Sequence, residues 1–168
     1  MITLKSAHEI ELMRRAGKIT AAARAVARDM VKPGVTTQQI DKAVYKFITE
    51  QGAIPSFLHY NGYPASVCVS VPVHIKADFA LRCHGDGMTG AHIHDGDIVS
   101  VDVGAFIGGF HGDCAGTYPC GKVSDEALRL IRATQQSFFE GIRYAREGYR
   151  LSDVSAAIQA YAESQGYS

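Results

Sequence analysis

A chain of 168 residues, 46% of them hydrophobic, is long enough for one domain with a substantial core. Its 17 basic and 17 acidic residues cancel, which removes the electrostatic case for nucleic acid or an anionic membrane as partner. No apolar run approaches the roughly 20 residues a membrane-spanning helix needs, and the charged start MITLKSAHEIELMRR is not a secretory signal. The four cysteines, Cys68, Cys83, Cys114 and Cys120, form no C-x-x-C pair. Without a signal peptide they read as reduced, mostly core-packing thiols of a cytoplasmic protein.

Taken in order, Ser6-x-x-Glu9 has the form of a capping box. Behind it Ile10, Met13, Ala16, Ile19, Ala23, Val26 and Met30 recur at helical spacing, and Pro33-Gly34 stops the helix. Thr36-x-x-Gln39 is a second capping box, followed by the stripe Ile40, Val44, Phe47 and Ile48 and closed by Gly52. Ser66 to Val73 alternates as a strand. Asp97 to Tyr118 reads as a hairpin. In it Ile98, Ser100, Asp102 and Gly104 share one face, and Gly108-Gly109 is a two-residue turn signal. Ser124 is placed to cap a third helix carrying Leu128, Ile131, Phe138 and Ile142, ended by Gly148. Ser152 is placed to cap a fourth with Val154, Ile158 and Tyr161.

The hairpin holds the most informative pair of residues. Folded at the glycines, it sets Ile107 against Phe110, Phe106 against His111 and Gly104 against Asp113. Asp102 and Asp113 then share a face one diagonal step apart, with roughly 5–8 Å between β-carbons. Gly104 offers no side chain to fill the gap. Two such carboxylates are either solvated residues flanking a turn or a site that wants a shared proton or a cation. The apolar flanks, the glycine turn and the ending His111-Gly112-Asp113 point to a metal site. Two divalent ions about 3.5–4 Å apart suit the geometry.

The fourth helix repeats the second at a constant offset of 114 residues. Gly34 matches Gly148, Ile40 matches Val154, Val44 matches Ile158, Phe47 matches Tyr161 and Gly52 matches Gly166. The period is too long for a solenoid and implies two similar α/β halves. The second half has its helices but no strands, so the chain is expected to be the front part of a longer protein.

Together these segments resemble the type I methionine aminopeptidases. The hairpin from Gly96 to Asp113, with Asp102-Val-Gly and Phe110-His-Gly-Asp113, resembles their metal-binding hairpin. Lys32-Pro33-Gly34-Val35-Thr36-Thr37 resembles their first interhelix turn. Pro55-Ser-Phe57, Tyr60-Asn-Gly-Tyr63-Pro64 and Ser66-Val-Cys68-Val-Ser-Val71 resemble their substrate-pocket segment. The resemblance covers residues 1–71 and 95–168. It implies an α+β "pita-bread" fold: an antiparallel sheet covered by helices, with residues 1–118 as the first half and 119–168 as helices of the second, one incomplete domain.

The resemblance implies that Asp102 and Asp113 are two of five ligands to a pair of divalent ions, of cobalt, manganese, iron or zinc. The other three, a His and two Glu, have no counterpart here. It implies metal-dependent removal of the N-terminal methionine from nascent polypeptides, with an isolated chain of residues 1–168 inactive. Phe57, Tyr60, Tyr63 and Cys68 match the methionine pocket, where aromatic edges and soft sulfur suit a thioether. His84, followed by Gly85, matches the histidine that contacts substrate near the scissile bond and is the expected catalytic side chain. Ribosome association would follow from action on nascent chains, although no basic patch supports it. The alternatives are a non-catalytic protein-binding module on half of this scaffold, or another pita-bread hydrolase such as a prolyl aminopeptidase.

The resemblance lapses between residues 72 and 95, a stretch holding His74, His84, His92 and His94. Three readings stand for it: a variable loop, a metal-binding insertion using His92-x-His94, or a local shift of reading frame.

Overall fold

Ser6 opens the first helix as its spacing predicts. Its hydroxyl accepts the Glu9 N–H at 3.3 Å, and the Glu9 carboxylate accepts the Ser6 N–H at 2.7 Å. The computed structural model describes residues 3–71 and 90–168. They fall into two compact units, Met1–Val123 and Ser124–Ser168. In the first unit α1 spans Ala7–Asp29 and α2 spans Thr37–Glu50. α1 ends a turn short of Pro33. The Thr36/Gln39 capping box is present at the head of α2.

The strands are β1 (Ile54–Pro55), β2 (Val67–Ser70), β3 (Ile98–Ile107) and β4 (Phe110–Pro119). All pairing is antiparallel. β3 is central: β4 pairs along its whole length, while β2 faces Ser100–Val103 and β1 faces Ala105 and Phe106 on its other edge. β2 starts one residue after the predicted start at Ser66, and the predicted end at Val73 lies outside the described residues. Its start is anchored by Asp41 on α2, whose carboxylate accepts the N–H groups of Ser66 and Val67 at 2.7 and 3.3 Å.

Alternation splits the sheet into two faces. Val99, Val101, Val103 and Ala105 are fully buried, together with Val67 and Val69. They pack with Ile19, Ala23 and Ala27 of α1 and Ile40, Val44 and Ile48 of α2. That leaves Asp102, Gly104 and Asp113 on the face away from these helices. α1 comes close enough to β4 that a β-carbon at Gly112 would lie 2.5 Å from Thr20 Oγ1 and 2.6 Å from the Ala16 carbonyl.

The second unit consists of α3 (Asp125–Ile142) and α4 (Leu151–Ser164). Ser124 caps α3 as predicted, accepting the Ala127 N–H at 3.1 Å. The large apolar and the buried residues of α3 do not coincide, and the expected cap of α4 is corrected. Phe138 and Ile142 are 55% and 48% exposed, and the buried line of α3 is Ala133, Ser137 and Gly141. The helices approach closely at Gly141, where a β-carbon would lie 2.5 Å from Ile158. Ser152 lies inside α4 rather than at its cap. The cap is Arg150, whose N–H donates to the Asp153 carboxylate at 2.7 Å.

The internal repeat holds at the level of backbone geometry. Shifted by 114 residues, the bounds of α2 become those of α4. Gly34 and Gly148 have φ of +86° and +90°, and Gly52 and Gly166 have +70° and +82°. The correspondence extends to the preceding helices, where buried Ile19, Ala23 and Ala27 match buried Ala133, Ser137 and Gly141.

Gly112→Ala is expected to lower the unfolding free energy by about 1–3 kcal/mol, the usual cost of overpacking. The urea midpoint measures it. An unchanged midpoint would mean that α1 is not seated on β4.

Candidate metal centre

The site is built by the β3–β4 turn. Gly108 and Gly109 have φ of +62° and +87°, the paired positive values of a type I′ turn that matches the twist of the flanking strands. The register is the predicted one: Ile107 opposite Phe110, Phe106 opposite His111, Gly104 opposite Asp113. Asp102 pairs with Ala115, so Asp102 and Asp113 stand diagonally on one face. Asp102 is half-buried and Asp113 is exposed.

Partial burial is the largest influence on Asp102 and raises its pKa above the ordinary carboxylate value. The charge of Asp113 and a hydrogen bond between the two carboxyl groups raise it further. The Val103 N–H opposes these effects without cancelling them. The pair therefore gains from a shared proton or from positive charge between the carboxylates. Oxygen donors that repel each other until a cation arrives fit a divalent ion. Among the described residues no group of three or more His, Cys, Asp and Glu converges.

The space over Gly104, which looked open in the sequence, is filled. A β-carbon at Gly104 would lie 2.8 Å from Ser56 Cβ and 2.9 Å from the Phe57 ring. This crossing puts Phe57 over Gly104, the residue opposite Asp113. Tyr63 meets Phe57 edge to face, with 6.4 Å between ring centroids, and its hydroxyl donates to the Val67 carbonyl at 3.2 Å. Cys68 lies directly across from Asp102 in the β2–β3 register. Phe57 and Cys68 thus lie against the strand that carries Asp102, and Tyr63 touches Phe57. Tyr60 stands apart at 69% exposure, in a short 3₁₀ turn, Tyr60–Gly62.

His84 and Cys83 lie outside the described residues, as does most of the segment from 72 to 95. His92 and His94 flank buried Ile93. His92 Nδ1 is 3.4 Å from the Gly34 carbonyl, and His94 Nδ1 is 3.7 Å from the Asp97 carboxylate. Each imidazole thus has its own neighbour. Cys68, Cys114 and Cys120 are free thiols, with Cys120 buried. Sequence reasoning missed Asp41 as the anchor of β2 and Ser56 as the residue lying on Gly104. Gly104 itself was the signal for Ser56, since a glycine in a central strand marks a close approach of other atoms.

The structure places paired carboxylates on one hairpin of an antiparallel sheet in an α+β fold. The chain belongs to metallopeptidase family M24, whose sequence pattern matches residues 11–168. It is similar to methionine aminopeptidase 1 of Bacillus subtilis, at 41% identity over 169 aligned positions, taking in 100% of this chain and 64% of the relative. It is similar to the methionine aminopeptidase of Clostridium acetobutylicum at 44% identity, over 99% of this chain and 64% of the relative. The crystal structure of methionine aminopeptidase from Thermotoga maritima matches with a TM-score of 0.89 at 36% identity, over 99% of this chain and 64% of that one. The architecture is therefore of the pita-bread type. The chain spans 64% of the length of these two curated relatives.

The raised pKa of Asp102 has a consequence for metal-free stability. The folded state holds the Asp102 proton more tightly than the unfolded state does. Stability therefore falls as pH rises from about 4, the unfolded value, through the raised folded value. Asp102→Asn is expected to be more stable than the native chain at pH 7 in the presence of a chelator. The difference should shrink below about pH 4. Urea melts at several pH values check this, and a less stable Asn variant at pH 7 would contradict it.

Proposed function

We propose that the whole protein removes the N-terminal methionine from nascent polypeptides as a metal-dependent aminopeptidase. The observation that carries this reading is the convergence of Asp102 and Asp113 on one face, with Phe57 held beside them over Gly104. Identities of 41% and 44% to proteins named methionine aminopeptidase support it. Asp102 and Asp113 would hold divalent ions, of cobalt, manganese, iron or zinc. When bound, such ions supply Lewis acidity toward a peptide carbonyl and lower the pKa of water.

The chain's own residues do the rest. Asp102 and Asp113 present oxygen donors from two strands whose spacing is fixed by the backbone ladder. Phe57, Tyr63 and Cys68 form a soft apolar wall for a thioether side chain, with Tyr60 at its exposed margin. His84 is proposed as the proton-handling side chain near the scissile bond. The 168 residues hold two carboxylates of the ligand set, so by themselves they are expected to bind metal weakly. No helix among the described residues is long and apolar enough to cross a membrane. We place the protein in the cytoplasm, where its substrates are the N-termini of nascent chains, with the ribosome as a transient partner.

The test is cleavage of a Met-Ala-Ser peptide by protein purified from its native source. Cleavage should stop with a chelator and return with manganese or cobalt. Asp102→Asn should lower it by more than about 100-fold, since even residues that only support metal ligands cost 10–100-fold. Methionine release that survives chelation would overturn the assignment. Residues 1–168 alone are expected to stay below the rate of roughly 1 per second typical of enzymes. Turnover at or above it would show that these residues suffice.

A further inference from the structure

Ser56 and His111 are 55 positions apart and share a hydrogen bond of 2.8 Å between the serine Oγ and the imidazole Nδ1. His111 precedes Asp113 by two residues on β4, so alternation puts it on the same face. Phe106, its partner across the hairpin, lies against the imidazole with 4.6 Å between ring centroids. The Ser56 N–H donates to the Gly104 carbonyl at 2.9 Å. Ser56 is thus tied to β3 through its backbone and to β4 through its side chain.

Pro55 is buried, and the Phe57 carbonyl accepts the Tyr60 N–H at 3.0 Å, but the strand pairing of this segment is short. β1 is two residues long, and Pro55 has no N–H to give to the ladder. The chain beyond Phe57 passes through His59 and Asn61, both at positive φ, states that side chains other than glycine adopt at a cost. Phe57 follows Ser56 directly, so its place over Gly104 depends on what fixes Ser56 as well as on its edge contact with Tyr63.

We propose that the Ser56–His111 hydrogen bond is a latch that holds Phe57 over Gly104, and that His111 is a positioning residue for the aromatic wall beside Asp102 and Asp113. The functional meaning of the latch rests on reading Phe57 as part of a methionine pocket. The latch itself rests on geometry alone.

The test places 4-fluorophenylalanine at position 57 of the 168-residue chain and follows its ¹⁹F line without metal, with urea midpoints recorded in parallel. The native chain should give a line displaced from that of the free amino acid by the edge of Tyr63. Ser56→Ala and His111→Ala should each move the line toward the free position. The double variant should move it no further than either single one. His111→Asn, which keeps a hydrogen-bonding atom near the Nδ1 position, should restore most of the displacement. A lowered urea midpoint with an unmoved line would reduce the bond to a structural contact and overturn the proposal. Fully additive shifts, or a His111→Asn line that coincides with that of His111→Ala, would also overturn it. Ser56→Ala deletes one oxygen atom, so it keeps the test decisive should His111→Ala fail to fold. L-Methioninamide titrated into the native chain separates the two ideas. A response of the line supports the pocket. No response, with the variant shifts intact, would remove the pocket and leave the latch.

Discussion

The structure depends on the register between β3 and β4. A slip of one residue would send Asp102 to the valine-lined core and bring Val101 or Val103 to the outer face. Two features prevent the slip. The Gly108-Gly109 turn fixes which residues face each other, and the fully buried row Val99, Val101, Val103 and Ala105 fixes which face is covered. The backbone ladder then forces two carboxylates together. Their repulsion is a by-product of interactions that are individually more favourable, which is how a fold stores an unfavourable contact where a ligand will relieve it.

Close approaches of backbone do the rest of the positioning. Gly112 lets α1 lie on β4, and Gly104 lets Ser56 and Phe57 cross β3 on the other face. The same hairpin thus touches its helix on one side and the segment from Ser56 to Tyr63 on the other, with a glycine at each crossing. Asp41 ties the start of β2 to α2, which places Cys68 across from Asp102. Each residue around the carboxylates is located by an identifiable bond or a missing β-carbon.

Much of this was legible in the sequence because its causes are local. Capping boxes at Ser6 and Thr36, the two-glycine turn and the alternation of β3 each act over a few residues. The Asp102–Asp113 diagonal follows from them by counting. The repeat at 114 residues was visible from bounding glycines and reappears as matching φ angles. What was not legible depends on contacts across long separations. The Ser56–His111 bond spans 55 positions, and nothing near either residue announces the other. Ser152 was taken for a cap because a hydroxyl is the usual one, whereas Asp153 satisfies the Arg150 N–H from inside the helix. Tyr60 shares its motif with Tyr63 but not its contacts, because positive φ at Asn61 turns the chain between them.

The central claim is that Asp102 and Asp113 together receive a divalent cation. The most direct measurement adds substoichiometric Mn²⁺ to the ¹⁵N-labelled chain and maps which amide signals broaden. The account predicts broadening centred on Asp102, Val103 and Asp113 and on Cys68 across the sheet, lost in Asp102→Asn. Broadening centred on His92 and His94, or none anywhere, would contradict it.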